Sequence, residues 1–530
     1  MTRRIDAATL KKMIKDGKEL ALLDVREDGE FGEGHLLLTV PVPYSMLEAR
    51  LHTLLPRRAV RTVLVDGGDG VAERAAARMA AVGFTDVSIL DGGVGAWEKA
   101  GYVIFKGVNV PSKAFGEVVE HAAHTPSISA AELNAMFEKG EDLVVVDGRT
   151  PEEYKRMSIP NGISVPNAEL VYRIHDIAPS PKTTVVVNCA GRTRSIIGAQ
   201  TLRNAGIPNK VVALRAGTMG WRLAGFELDH GASREYPEVS AKGMAEAKAR
   251  AEAMAKKFGV RKVDLATIDR WRGEKDRSLY VLDVRSAEEY AAGHLPGALH
   301  APGGQLVQGT DNWVGARGAR VVLTDDTEIR AITAAHWLVQ MGWDVHVLAG
   351  GIGKAATEKG APPRRVLGID DIAVDTITPP DLNKALKAGT AVAVDVDLSE
   401  HYRARRLPGA HWGIRPRLDR LVAKLPKGKR IVLYSEHETR ARLAVPDLRA
   451  LTDAPIAVLK GGREAWTKAG LPTEASPGVP PDSERIDFLF FVHDRHQGNE
   501  ASMREYLSWE EQLPAQVEAD GDATFRIVKV

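Results

Sequence analysis

LALLDVR at 20–26, LVVVDGR at 143–149, LYVLDVR at 279–285 and AVAVDVD at 391–397 are four versions of one phrase, an apolar run closing on aspartate. Each is followed by an acidic or aromatic pair (Glu30-Phe31, Glu153-Tyr154, Glu289-Tyr290, His401-Tyr402) and usually by a Gly-His or Pro-Gly turn. A second apolar run comes next: TVLVDG (62–67), TVVVNC (184–189), RVVLTD (320–325) and RIVLYS (430–435). Their last residues, Gly67, Cys189, Asp325 and Ser435, lie 40 to 43 positions beyond the aspartates, so the copies keep register. An alanine-rich stretch of helical periodicity then leads to a third run and a glycine pair with tryptophan, complete at Gly92-Gly93 with Trp97 and at Gly461-Gly462 with Trp466. Copy two keeps only Gly217 with Trp221, and copy three keeps Gly350-Gly351 without the tryptophan.

Short continuous apolar runs bounded by turn residues and alternating with helical stretches describe parallel strands covered by helices on both faces. The repeat is domain-sized. The fold class expected is therefore α/β, with four tandem domains, each a parallel sheet flanked by helices on both faces. The boundaries read as 1–108, 124–236, 260–360 and 374–475, with an appendage at 483–530. Proline-rich stretches at 361–363, 379–380 and 477–481 mark loops. EVSAKGMAEAKARAEAMAKKFGV (238–260) has high helix propensity and is either a linker helix dividing the chain into two pairs or a peripheral helix of one domain. The appendage reads as a strand and then an amphipathic helix packed on the last pair.

The totals exclude several classes of function. The 530 residues exceed one hydrophobic core, and 71 basic against 70 acidic side chains leave a formal charge of +1, so no global field for nucleic acid or a membrane surface is present. The first twenty residues carry scattered charges, and no stretch approaches the roughly 20 apolar residues of a membrane span, which predicts a cytoplasmic protein with no nucleic-acid and no membrane partner. Cys189 is the only cysteine and cannot form an internal disulfide, in keeping with a reducing compartment.

That cysteine opens Cys-Ala-Gly-Arg-Thr-Arg-Ser (189–195), between a buried strand and the helix SIIGAQTLRNAG. The placement puts sulfur at the carboxyl edge of a parallel sheet and aims loop N–H groups and a helix N-terminus at it. Such partial positive charge, with Arg192 and Arg194, predicts a thiolate. Ala190 and Gly191 let the backbone wrap the sulfur. A ring of donors of this kind can hold a thiolate, a persulfide or an oxyanion.

The D-x-R, E-E-Y, Gly-His-x-Pro-Gly-Ala, Cys-x-x-x-x-Arg and Gly-Gly-x-x-x-Trp elements, in this order, resemble rhodanese-like sulfurtransferase domains over nearly the whole chain to about residue 475. The resemblance implies a cysteine persulfide at Cys189, with Ala190, Gly191, Arg192, Thr193, Arg194 and Ser195 forming the substrate loop. It implies thiosulfate as the usual donor, sulfite as the product, cyanide or a thiol as acceptor, a protein sulfur acceptor as a further candidate, and no metal or organic cofactor. Gly67, Asp325 and Ser435 cannot carry a persulfide, which predicts three silent domains. Arg330 and Arg440 keep the arginine five positions on, whereas copy one has Ala72. Copy two itself replaces the Gly-His turn by Met157-Ser158.

Other readings of these residues compete. Asp147 and Arg149 recur in silent copies, which points to structural ion pairing with Glu153 and its equivalents, and Trp221 reads as core. His493, Asp494 and His496 lack the further ligands a metal needs. A cysteine phosphatase of the related loop type would place arginine six residues after the nucleophile, where Ser195 stands, and a mercaptopyruvate-type loop would read Cys-Gly-Ser/Thr-Gly. The alternative to an enzyme is a scaffold or sulfur relay with regulatory silent domains.

Overall fold

The computed structural model describes residues 2–361, 365–496 (His496 by its backbone only) and 498–528, so most of the 361–363 proline stretch and His496's side chain fall outside it. The middle strand of copy two's sheet is Thr184–Asn188, which ends just before the cysteine; the order is Ser127–Ile128, Val211–Leu214, Thr184–Asn188, Leu143–Asp147, Ile163–Ser164, all parallel. The other copies repeat this order, and the first gains an antiparallel edge when Ala316–Arg317 of copy three pairs with Leu20 and Ala21. The runs are continuously apolar because both faces are covered. Val185 and Val187 join one core cluster with Leu170, Ile174 and Leu202, while Val186 joins another with Leu133 and Trp221.

Small devices recur in three copies each and explain the sequence phrases. The arginine of D-x-R grips its own aspartate, Arg149 to Asp147 at 2.9 and 2.8 Å, and donates to the Met157 carbonyl at 2.5 Å. Arg26 and Arg285 do the same with Asp24 and Gly34 and with Asp283 and Gly293. The structural role expected for Asp147 and Arg149 therefore holds with a different partner, since Glu153 is engaged elsewhere. Each tyrosine of the acidic-aromatic pair ties down the carbonyl eight residues on: Tyr154 to Gly162, Tyr290 to Ala298 and Tyr402 to Ala410.

Strand register corrects the alignment of copy one. Asp24 lies opposite Val65, as Asp147 lies opposite Asn188, so Asp66 and not Gly67 stands at the cysteine position. The same main-chain bond marks it in all four copies: Val94 N–H to Asp66, Thr218 N–H to Cys189, Ile352 N–H to Asp325 and Arg463 N–H to Ser435, each at 2.8 or 2.9 Å. The fifth position on is then Val71 rather than Ala72. A one-residue slip is invisible in an apolar run buried on both faces, because no inside-outside alternation marks the frame.

Ala241–Phe258 packs on Leu170–Ile177 of copy two and on Ile329–Gln340 of copy three, so it joins these copies instead of dividing the chain between them. Copies two and three meet where Trp337 Nε1 donates to Thr201 Oγ1 (2.7 Å) and where buried Arg330 reaches Glu169 (3.0 Å). Copies one and four meet through Arg415 with Glu48 and through Arg417 with Glu30.

The C-terminal segment departs most from expectation. Residues 486–489 form no strand; helices Phe490–His496 and Glu500–Asp520 follow, and the longer one lies on Val110–Ala123, between copies one and two. Lys11 of copy one binds Asp520 and Asp522, and Arg526 N–H donates to the Gln340 carbonyl of copy three. The appendage therefore roofs the second domain while also touching the last pair, where Asp487 accepts from Ser399 N–H of copy four and Thr524 donates to the Met341 carbonyl of copy three. Among the described residues no helix is long and apolar enough to cross a membrane.

Candidate active site

Cys189 follows the middle strand of copy two, and its side chain is interior, the residue being 2% exposed. The loop turns over Ala190 and Gly191 into the helix Thr193–Asn204. Its floor is main chain: the Cys189 carbonyl accepts from Thr218 N–H at 2.8 Å and the Ala190 carbonyl from Met219 N–H at 3.1 Å. That close approach explains the surviving glycine of the pair. Gly217 has φ +52°, and a Cβ there would sit 2.1 Å from the Cys189 carbonyl oxygen. Gly93, Gly351 and Gly462 meet carbonyls in the same way at 2.1, 2.4 and 2.5 Å. The first glycine is dispensable, since Ala216 takes its left-handed place at φ +60°. Gly217→Ala is expected to cost about 1–3 kcal/mol in chemical denaturation and to distort the cysteine loop, whereas Gly95→Ala, with open space around it, should melt as the wild type does.

The two loop arginines have different duties. Arg194, 8% exposed, forms a two-pronged pair with Glu153 at 2.6 and 2.7 Å, while Asn167 donates to its carbonyl at 2.9 Å. Burial works against the Glu153 carboxylate, yet Arg194 holds it down to about 2. Arg192 turns instead toward Glu117, Glu120 and Glu511, at 2.7, 2.6 and 3.1 Å, so three carboxylates already neutralise it. Ser195 donates its hydroxyl to the Arg192 carbonyl at 2.8 Å, closing the helix start.

The sulfur is not the resting thiolate expected from the loop alone. Burial pushes the Cys189 thiol above its ordinary value and Glu510 adds to the rise, while Arg194 and Ser195, through its N–H and hydroxyl, pull it back without prevailing. The cause is the roof, which a reading confined to the loop omitted. Glu510 Oε1 accepts from Thr193 Oγ1 (3.2 Å) and from Tyr506 Oη (2.7 Å). The Arg495 guanidinium lies 3.6 Å from the Tyr506 ring centre, and Lys113 Nζ lies 5.2 Å from it. Burial pushes the Lys113 amine down to about 7. Together they line a cavity of about 200 Å³ with Cys189 in its wall. Lys113, Arg495, Tyr506 and Glu510 carry no local motif; the i, i+4 spacing of Tyr506 and Glu510 on one helix was their only trace.

The other three loops satisfy themselves. The Asp66 carboxylate accepts from Gly68 and Ala72 N–H groups (2.8 and 3.0 Å), and Asp325 from Glu328 and Arg330 N–H groups (2.7 and 3.0 Å). Each thereby fills with its own oxygens the space that main-chain donors would offer an anion. Ser435 donates to the His437 carbonyl. In copy three Arg330 pairs with Glu289 as Arg194 does with Glu153, so this pair outlives the sulfur and is also a structural brace. Among the described residues no cluster of three or more metal-ligating side chains occurs.

The family model described as Rhodanese-like domain matches residues 6–100, 129–224, 266–357 and 378–469. The chain belongs to the rhodanese-like family. A crystal structure of a thiosulfate sulfurtransferase from Pseudomonas aeruginosa is 43% identical, covers 99% of this rhodanese-like chain and 100% of its own, and superposes with a TM-score of 0.94. Two curated proteins are similar over single-domain lengths. An HTH-type transcriptional regulator of Mycobacterium tuberculosis is 35% identical over 108 residues, 20% of this chain and 46% of its own. YrkF of Bacillus subtilis, whose name proposes a sulfur carrier, is 26% identical over 102 residues, 19% of this chain and 54% of its own. The rhodanese-like chain thus spans about half the length of the curated relatives it matches.

Proposed function

We propose that this protein is a thiosulfate sulfurtransferase in which Cys189 alone carries the transferred sulfur. The observation that carries the reading is that one rhodanese-like domain of four holds a cysteine at its loop, while Asp66, Asp325 and Ser435 occupy that place in the others and bond to their own loops. The name of the Pseudomonas aeruginosa structure, similar along the whole chain, supports the same chemistry.

In the first half-reaction the Cys189 sulfur attacks the outer sulfur of thiosulfate and sulfite leaves; in the second, cyanide or a small thiol removes the outer sulfur from the persulfide. Main-chain N–H groups of Ala190, Gly191, Thr193 and Ser195 are the donors for the persulfide and the leaving oxyanion, with Arg194 as the charge beside them. Arg192, held by Glu117 and Glu120, acts by fixing the loop rather than by meeting the donor. A space of about 200 Å³ suits a small donor and a small acceptor. A lone thiol that must stay free for sulfur fits a reducing cytoplasm.

Thiocyanate formation from thiosulfate and cyanide tests the reading. Wild type should turn over with double-reciprocal lines that stay parallel as the second substrate is varied, and Cys189→Ser should form no thiocyanate above the uncatalysed rate. Turnover that survives Cys189→Ser would overturn it.

A further inference from the structure

Because burial keeps Cys189 toward its protonated form, its attack on a donor releases a proton into the cavity it lines. The charged and titratable groups facing that space come from several elements. Arg194 and Glu153 neutralise each other, as do Arg192 and Glu117, Arg495 is cationic, and burial pushes the Lys113 amine down to about 7. Burial drives the Tyr506 phenol well above its ordinary range, which makes it a donor there. Glu510 differs from all of these. It is 1% exposed, and two hydroxyls fix its Oε1. Its Oε2 is buried without a hydrogen-bond partner among the described residues. That oxygen lies against the cysteine loop: a Cβ on Gly191 would stand 3.3 Å from it.

We propose that Glu510 is the catalytic base of the sulfur transfer, Oε2 taking the Cys189 proton as the donor is attacked and returning it when the sulfur departs. The inference rests on the reading of Cys189 as the persulfide carrier. In the first half the S–H bond breaks toward Oε2, and the sulfur's electron pair forms the new S–S bond. The S–S bond of thiosulfate breaks with its pair on sulfite, leaving a persulfide anion and a neutral Glu510. In the second half cyanide attacks the outer sulfur, the persulfide bond breaks with its pair on Cys189, and the Glu510 proton joins that sulfur as thiocyanate leaves. One proton enters and one is returned, with no other co-reactant. An ionised Glu510 opposes a thiolate as a like charge, whereas a protonated one does not oppose the persulfide anion. A side chain on Gly191 would crowd Met219 first, at 2.8 Å, and then Oε2, at 3.3 Å.

The test is rapid-quench loading of the full chain with thiosulfate, read by intact mass across a pH series. Glu510→Gln, almost the same shape, should load about 10²-fold more slowly near neutrality, and the deficit should shrink as pH rises and solvent base ionises Cys189. Glu510→Asp should keep the wild-type pH profile with a smaller loss of rate. Should Glu510→Gln fail to fold, Tyr506→Phe decides, since losing one hydroxyl from Oε1 makes the carboxylate more basic and moves the acid limb of the loading profile to higher pH. Loading by Glu510→Gln that is as fast as wild type or faster would overturn the proposal, because the carboxylate then only opposes the thiolate. So would an equal slowing at every pH, or an unmoved acid limb in Tyr506→Phe. A wild-type protein that takes up no sulfur would instead overturn the reading of Cys189.

Discussion

Arg194→Ala is expected to slow persulfide formation from thiosulfate by about 10²–10³-fold, the range for removing one preorganised charge from a desolvated site. Arg194 is the cation that counters burial at the sulfur, and Glu153 holds it in place through both prongs. Its removal acts twice. The thiol rises further, so less thiolate exists at neutral pH, and the Glu153 carboxylate becomes an unpaired negative charge beside a cavity that must admit an anion. Arg194→Lys keeps the charge without the two-pronged geometry and should fall between. The sign is checked by native alkylation of Cys189 against pH: the midpoint should move to higher pH in Arg194→Ala. An unmoved midpoint would mean that the guanidinium does not act on the sulfur.

Arg415→Ala is expected to destabilise the protein by about 3–5 kcal/mol, as removal of one partner of a buried ion pair does. The Arg415 side chain is 2% exposed, and it binds Glu48, fully buried in copy one, and Asp447 in copy four. Burial works against the Glu48 carboxyl, yet Arg415 holds it below its usual range. A carboxyl lowered by folding contributes stability above its unfolded value and loses it as pH falls through the folded one, so the deficit of Arg415→Ala should narrow in acid. Sulfur loading of folded Arg415→Ala should match wild type, because Arg415 lies at the contact between copies one and four and does not line the Cys189 cavity. Denaturation curves with loading read in parallel separate the two effects.

The four aspartate phrases made the fold legible because a repeat four times over leaves little freedom in assigning strands. Asp24, Asp147, Asp283 and Asp395 all sit at strand ends as read. The identity of the residue opposing Cys189 in copy one was not legible. A fully buried strand has no polar alternation to fix its frame, and only the main-chain bond from Val94 to Asp66 does so. The loop itself was readable, since Cys189 and its neighbours are contiguous. Its electrostatics were not. Glu153 was assigned to Arg149 because the two are close in sequence, whereas Glu153 binds Arg194 across the loop and Arg149 binds Asp147. Glu510 stands 321 positions from Cys189 in a segment outside the repeat, and no periodicity shows that one helix will lie over another domain's loop. Glu510's contribution to the rise in the thiol's pKa follows from that packing.

The most direct measurement is the intact mass of the full chain after thiosulfate treatment under native conditions, followed by peptide mapping. The account predicts an added mass of about 32 Da, one sulfur, located on the peptide bearing Cys189, lost on addition of cyanide and absent from Cys189→Ser. An unchanged mass in wild type, or added sulfur that persists in Cys189→Ser, would contradict it.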